Sequence, residues 1–186
     1  MTTLTRRGAA LCAVASILAL TACGNGVGSN GPQVIDGRVD TTLNFLETSY
    51  PATRDLRDKA AGVLVMPLVT EAGFGVGGSY GRGALQVNGV TVDYYSATQA
   101  SFGFQAGAQQ YAHALYFMTE DALAEFRASP GWAAGADLEY TLSNRAENIS
   151  AETTTVLDPV IAVVFGQAGL LAGASVEGTK YTRIIP

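Results

Sequence analysis

Apolar residues change their spacing along the chain, and this change separates a helical segment from a strand-rich one. Val39, Leu43 and Leu46 recur at the three- and four-residue intervals of an amphipathic helix. Pro51 suits the first turn of a second, short helix. From Gly62 onward the spacing of apolar residues becomes two, which is typical of strands. The pattern therefore predicts two short helices followed by a sheet.

The dipeptide Asn88-Gly89 is the clearest turn signal, because both residues accept the positive φ angles of a type I′ hairpin. A two-residue loop at this point predicts a regular antiparallel register, with apolar and polar residues on separate faces. The pairs in that register are Val87 with Val90, Gln86 with Thr91, Leu85 with Val92, Ala84 with Asp93, and Gly83 with Tyr94.

One helix and several strands are predicted after this hairpin. Thr119 is a suitable N-cap, Leu123 and Phe126 give the helix an apolar side, and Pro130 helps to end it. A polar loop is predicted over residues 144–159. Apolar runs or alternation predict strands over residues 111–118, 132–143, 160–165, 170–176 and 179–185.

These elements predict an α+β fold that is dominated by strands. Glycine accounts for 22 of the 186 residues, and many glycines lie among the strand residues between 62 and 107. Glycine inside a strand marks a bulge, a sharp bend or a close approach of two backbones. We therefore expect a strongly curled or barrel-like antiparallel sheet, with two short N-terminal helices and one helix near residues 120–128.

The first residues have the pattern of an export signal. A start containing Arg6 and Arg7 precedes an apolar run over residues 9–20, which is too short to span a membrane as a helix. The run ends in Leu20-Thr21-Ala22-Cys23, which resembles the lipobox of bacterial lipoproteins. In that family cleavage precedes the cysteine and its thiol carries the lipid. An ordinary signal peptide in which Cys23 is incidental is the alternative.

The lipobox resemblance implies three regions and a location. They are a lipoprotein signal peptide over residues 1–22, a lipidated Cys23 with a flexible tether over residues 23–37, and a single domain over residues 38–186. Gly24 stands where inner-membrane retention in enterobacterial lipoproteins would require Asp. We expect a lipid-anchored protein of the cell envelope, on the outer membrane and facing the periplasm if the cell is Gram-negative.

Composition and charge exclude several classes of protein. Hydrophobic residues make up 48% of the chain and charged residues 15%, so it does not have the composition of a disordered protein. The 11 basic and 16 acidic side chains give a net charge of −5, which argues against nucleic acid as a partner. A G-x-G-x-x-G pattern over residues 73–78 is followed by strand residues rather than a helix, so nucleotide binding is not expected.

His113 is the single histidine, and it lies in the most apolar stretch of the chain. A buried, hydrogen-bonded core histidine is therefore expected. Metal sites need several His, Cys or carboxylate ligands at short spacings, and no such group stands out, so neither a metal nor another cofactor is expected. We therefore do not expect this protein to be an enzyme. Hydrolysis of an envelope component is a third hypothesis, which would gain support only if His113 lay in an open cleft beside a hydroxyl and a carboxylate.

Several blocks of the chain, taken together and in order, resemble the SYLF domain family. They are GVLVMP, AGFGVGGSYGRGAL, SFGFQAGAQ, FMTEDALAEFRASPGW, VFGQAGLLAGASVEGTK and YTRI, and they extend from about residue 60 to residue 185. The family is a lipid-binding domain that is also described as an actin-binding domain in yeast actin-patch proteins. The resemblance implies binding of phospholipid.

A lipid headgroup would be recognised by basic side chains, and the candidate residues are Arg54, Arg57, Lys59, Lys180 and Arg183. For the helical group the alternative is a solvated face with internal ion pairs, such as Asp55 with Lys59. The first functional hypothesis is a lipid-anchored, non-enzymatic lipoprotein whose domain binds phospholipid or a membrane surface. The second is a structural or protein-interaction module of the envelope that touches lipid only through its acyl anchor.

Overall fold

The computed structural model describes residues 30–134, 158–166 and 176–186. The predicted signal, Cys23 and most of the strands predicted over 132–143 and 170–176 lie outside these residues. The described elements, in chain order, are α1 (Gly31–Ser49), α2 (Ala52–Lys59), β1 (Gly62–Val87), β2 (Val90–Phe117), α3 (Glu120–Ala128), β3 (Trp132–Ala133), β4 (Val160–Phe165) and β5 (Lys180–Ile184).

All described strand pairs are antiparallel. β1 and β2 form one long hairpin that extends from Val87 and Val90 at the turn to Gly62 and Phe117 at the far end. The other edge of β2 pairs with β5 near the turn and with β4 near the far end. The short β3 pairs with β5. The long hairpin is therefore the framework on which the remaining strands assemble.

The sheet curls because β1 folds back on itself. A Cβ atom at Gly83 would overlap the carbonyl oxygen of Val65, and one at Gly81 would lie 2.8 Å from the carbonyl oxygen of Leu68. Only glycine permits backbones to approach this closely. The bend lies between these segments, where Gly73 packs against Gly77. The result is a strongly curled antiparallel half-barrel, and the predicted α+β fold is confirmed.

The two faces of the sheet are covered by different helices. α1 and α2 bury Val39, Leu46 and Leu56 in a cluster that includes sheet residues of one face, such as Val65 and Tyr116. α3 packs on the other face through Leu123 and Phe126, as its apolar spacing predicts. Its predicted N-cap is also confirmed, since the hydroxyl of Thr119 accepts a hydrogen bond from the Ala122 amide at 3.2 Å.

The first helix begins earlier than the sequence predicts. α1 starts at Gly31, so residues 31–37 are helical rather than part of a flexible tether. Pro32 lies in the first turn, where its missing amide hydrogen costs nothing. Ile35 is 4% exposed and packs in the same cluster as Val39. Burial of Ile35 thus adds a turn that local composition, rich in Gly and Asn, does not indicate.

The hairpin turn is as predicted, but the register beyond it is not. Asn88 and Gly89 have φ angles of 51° and 75°, as a type I′ turn requires. The first two pairs of the predicted register are present, and a one-residue shift follows. The observed pairs are then Leu85 with Asp93, Ala84 with Tyr94, and Gly83 with Tyr95.

The shift is a β-bulge at Val92, and contacts with α1 explain it. The extra residue of a bulge shifts the alternation of side chains by one position beyond it. Thr91 and Tyr94 consequently both face α1, where their hydroxyls donate to the two carboxylate oxygens of Asp36 at 3.0 and 2.9 Å. A regular register would point these two side chains to opposite faces, so only one of them could reach Asp36.

Candidate functional site

The predicted basic group on α2 is anchored to α1. Arg57 Nη1 lies 2.6 Å from Glu47 Oε1, and Arg54 Nε lies 3.6 Å from Glu47 Oε2. The Glu47 side chain is only 15% exposed, so the carboxylate is largely withdrawn from solvent. Two guanidinium groups therefore share one carboxylate, and the group keeps a net positive charge.

Lys59 lies at the end of α2 and is exposed. Among the described residues, none of the ion pairs includes Lys59, so the alternative of a pair with Asp55 is not what the structure contains. The arginines of α2 pair with the preceding helix instead. Lys59 is thus more accessible to an anionic headgroup than Arg54 and Arg57 are.

The second predicted group, on β5, is centred on Asp93. Arg183 Nε lies 3.4 Å from Asp93 Oδ1, and Arg127 Nε lies 3.0 Å from Asp93 Oδ2. Arg183 also donates to the backbone carbonyl of Arg127 at 3.1 Å and lies 3.5 Å from the hydroxyl of Tyr95. Sequence reasoning did not select Arg127, because its carboxylate partner is far away along the chain.

Lys180 is exposed, and its stem lies beside Gly131. A Cβ atom at Gly131 would be 2.5 Å from Lys180 Cε, so the glycine leaves room for the lysine stem. None of the ion pairs among the described residues includes Lys180. Lys180 resembles Lys59 in this respect, and both differ from the paired arginines.

The structure does not bring the two predicted basic groups together. Arg57 reaches Glu47 on α1, which covers one face of the sheet. Arg183 reaches Arg127 on α3, which covers the opposite face. A single flat surface cannot engage both groups equally, so they form two candidate sites rather than one.

The outward side of α1 is a further candidate surface that sequence reasoning missed. Val34 and Phe45 are 44% and 42% exposed, and Arg38 is exposed between them. Their spacing by four and seven residues places all three on one side of the helix. That spacing was readable in the sequence, but it lies partly in the segment predicted to be a tether. In addition, the ring of Phe45 stacks on that of the buried Phe165 at 6.4 Å.

Each acidic residue of α1 makes a contact within the protein, although Asp40 is also exposed to solvent. Asp36 accepts from the hydroxyls of Thr91 and Tyr94. Burial, and after it the hydrogen bond and negative charge of Asp36, raise the pKa of Tyr94 to about 12. Asp40 accepts from the Gln86 amide at 3.3 Å, and Glu47 binds the arginines of α2. The outward side of α1 consequently combines apolar side chains and a cation.

His113 is a core residue, as predicted. It is fully buried, its Nε2 lies 2.8 Å from the hydroxyl of Tyr181, and burial lowers its pKa to about 3. Its ring is therefore neutral near pH 7, and it packs against the ring of Tyr111 at 6.0 Å. Among the described residues His113 is enclosed in the core, so it does not line the open cleft that the hydrolase hypothesis requires. The described residues also contain no group of three or more His, Cys, Asp or Glu side chains arranged to hold a metal.

The glycine pattern over residues 73–78 lies inside β1, which continues as a strand to Val87. A dinucleotide loop needs a helix N-terminus directly after it to receive the pyrophosphate. This segment instead forms the bend of the hairpin, as expected for a curled sheet. No helix in the described part of the chain is long and apolar enough to cross a membrane.

Comparison with known families identifies the second half of the chain. Residues 98–183 match the family model described as Ysc84, Las17-binding protein actin regulator. No curated protein matches the chain. The matched range contains most of β2 together with α3 and β4, and it ends within β5. The order of the sequence blocks and this match lead to the same assignment: residues 98–183 carry a SYLF (Ysc84) domain.

Proposed function

We propose that this protein is a lipid-anchored, non-enzymatic lipoprotein of the cell envelope whose SYLF domain binds phospholipid at a membrane surface. SYLF domains are binding modules associated with lipid and actin-related partners. Acylation of Cys23 would supply the anchor, and two or more acyl chains hold a protein stably on a bilayer. In a Gram-negative cell the domain would face the periplasm from the outer membrane.

The observation that carries the proposal is the distribution of charge on α1. Its three carboxylates are occupied by contacts within the protein, through Asp36, Asp40 and Glu47. Arg38 and the apolar side chains beside it remain on the outward side. Anionic headgroups attract cations and repel carboxylates, so this arrangement favours a lipid surface. It does so although the net charge of the whole chain is −5.

The five basic residues predicted from the sequence should contribute unequally to this binding. Arg54 and Arg57 already bind Glu47, and Arg183 already binds Asp93, so a headgroup must compete with a carboxylate at each. Lys59 and Lys180 have no such competitor in the described ion pairs. Within each group we therefore expect the lysine to contribute more than the arginines: Lys59 more than Arg54 and Arg57, and Lys180 more than Arg183.

Flotation with vesicles tests the proposal. The chain from Gly24 onward contains every described element and lacks the anchor. It should float with vesicles that contain anionic phospholipid, and less of it should float at high salt. Arg38→Gln should weaken flotation, whereas Ala124→Glu, which lowers net charge equally on the exposed side of α3, should not.

Two results would contradict the proposal. One is a chain that floats with no lipid composition. The other is equal weakening by Arg38→Gln and Ala124→Glu, which would show that only net charge matters. Absence of flotation together with specific protein crosslinks that survive detergent would favour the alternative, a structural or protein-interaction module.

A further inference from the structure

Four exposed apolar side chains lie around the beginning of α1. Val34 is 44% exposed, Val90 64%, Val92 41% and Ile185 78%. We call these four residues the anchor-proximal corner. The other large apolar residues exposed in the described part of the chain lie farther along α1 or at the bend of the hairpin.

Contacts of Asp36 gather three members of the corner. Val34 precedes Asp36 by two residues in α1. Thr91, which stands between Val90 and Val92, donates a hydrogen bond to Asp36 Oδ1 at 3.0 Å. The tip of the hairpin is thereby held against the first turns of α1.

The second carboxylate oxygen of Asp36 connects α1 to the stretch of chain that contains the fourth residue, Ile185. Tyr94 donates to Asp36 Oδ2 at 2.9 Å, and Tyr94 pairs with Ile184 across β2 and β5. Ile185 directly follows Ile184, so it lies on the same corner of the sheet. One carboxylate thus joins three separate stretches of chain at the hairpin tip.

The bulge places an apolar residue on this surface. In the regular register Val92 would pair with Leu85, which is fully buried, and it would share its core-facing side. The bulge removes Val92 from the ladder and leaves it 41% exposed. Bulges commonly re-aim a side chain at a functional surface. The exposure of a β-branched apolar residue such as Val92 is explained if its side chain enters another apolar medium.

The length of the chain before α1 identifies that medium. Seven residue steps separate Cys23 from Asn30, and a fully extended chain of that length spans at most roughly 25 Å. α1 begins at the anchor-proximal corner, so acyl chains on Cys23 would hold this corner close to the bilayer.

We infer that the anchor-proximal corner is the surface that rests on the bilayer, with its apolar side chains at the boundary between headgroups and acyl chains. This inference rests on the proposed function, since it requires an acylated Cys23. It deepens that function by fixing the orientation of the domain. The hairpin tip faces the lipid, and the bend of the hairpin points away from it.

Site-specific fluorescence tests the orientation. The sequence contains two cysteines, Cys12 and Cys23. The first would leave with the signal, and the thiol of the second would be blocked by lipid. Val90→Cys in the acylated protein therefore carries one reactive thiol for a polarity-sensitive dye. Val76→Cys, at the bend, is the matched control because Val76 is 66% exposed against 64% for Val90.

In vesicles, we expect the emission of the dye at position 90 to shift to the blue and to be quenched by lipid-borne quenchers. The dye at position 76 should keep the emission of a water-exposed dye. The reverse pattern, or two water-like signals in a protein that stays on the vesicles, overturns the orientation but leaves lipid anchoring intact. A Cys23 thiol that stays reactive, in a protein released without detergent, contradicts the anchor and hence both proposals.

A second measurement does not depend on labelling. The anchor-free chain carrying Val90→Ser, Val92→Ser and Ile185→Ser should partition onto vesicles roughly tenfold less than the unchanged chain, since it loses the burial of three apolar side chains. Val76→Ser should leave partitioning unchanged. Circular dichroism establishes that each variant is folded. Equal loss for both variants, or no loss for the triple variant, would overturn the inference.

Discussion

Acid should destabilise this protein through His113, because the folded state holds that side chain uncharged. Burial lowers the pKa of His113 to about 3, whereas an unfolded chain has a histidine pKa near 6.5. Between these two values the unfolded state binds one more proton than the folded state. Stability therefore rises with pH from about 3 to about 6.5, and it is lost as pH falls through that window.

The size of the effect follows from the same two pKa values. Each pKa unit corresponds to about 1.4 kcal/mol, so the full difference is on the order of 5 kcal/mol. Between pH 6.5 and pH 4.5 the contribution of His113 is about 2–3 kcal/mol. Since the free energy of unfolding of a typical domain is about 5–15 kcal/mol, this loss is large enough to measure directly.

His113→Phe removes the titrating group and keeps an aromatic ring between Tyr111 and Tyr181. It should cost about 1–3 kcal/mol at pH 7, because the buried hydroxyl of Tyr181 loses its partner at 2.8 Å. Urea unfolding at a series of pH values gives the free energy of unfolding of each protein. We expect the unchanged protein to lose about 2–3 kcal/mol more than the variant between pH 6.5 and pH 4.5.

Parallel pH profiles for the two proteins would refute the reasoning. Tyr181→Phe is the matched control, because it removes the hydrogen bond but leaves His113 in place, so the steep profile should persist. The imidazole signals also provide an independent reading, since the chain has a single histidine. In the folded protein these signals should not titrate between pH 7 and pH 4.5.

Three further changes test other parts of the structure. Gly83→Ala should lower the free energy of unfolding, measured with urea, by about 3 kcal/mol or more, because the new Cβ would overlap a carbonyl oxygen. Gly37→Ala, which has open space around it, should raise the free energy of unfolding by roughly 0.5–1 kcal/mol. Equal effects of the two substitutions would contradict the close approach of backbones in the curled sheet. Thr119→Ala should lower the thermal midpoint through loss of about 1 kcal/mol of capping, and an unchanged midpoint would count against the cap. Asp36→Asn should lower the pKa of Tyr94 from about 12 toward its ordinary value, measured by ultraviolet absorbance against pH, and an unchanged pKa would contradict a contribution from the negative charge of Asp36.

Local signals were sufficient wherever neighbouring residues decide the structure. Asn88-Gly89 predicted its turn because both positive φ angles are properties of those two residues. Thr119 predicted the start of α3 because a cap acts over three residues. The strand predicted from residue 111 is buried through Phe117, since a continuous apolar run leaves no polar face to expose.

Features that depend on distant residues were not predictable in this way. The bulge at Val92 follows from the two oxygens of Asp36, which lies on a helix far away along the chain. The early start of α1 follows from the packing of Ile35 in the core. Among the candidate site residues, Arg183 could be selected from the sequence because it is basic. Its ion pair with Asp93 could not be predicted, because that pair forms only once β5 has docked on β2.

The long ribbon formed by β1 and β2 affects how quickly the sheet can assemble. Its pairs extend outward from Val87 and Val90 to Gly62 and Phe117, so each new pair closes a chain loop only slightly longer than the one before. Much of the sheet can therefore zip up from one tight turn with small entropic steps. β4 and β5 add the contacts of large sequence separation. Because folding slows as contact order rises, we expect their docking to be slower than the pairing of β1 with β2. We therefore expect the Asn-Gly turn to be a nucleation point for the half-barrel as well as a connection between two strands.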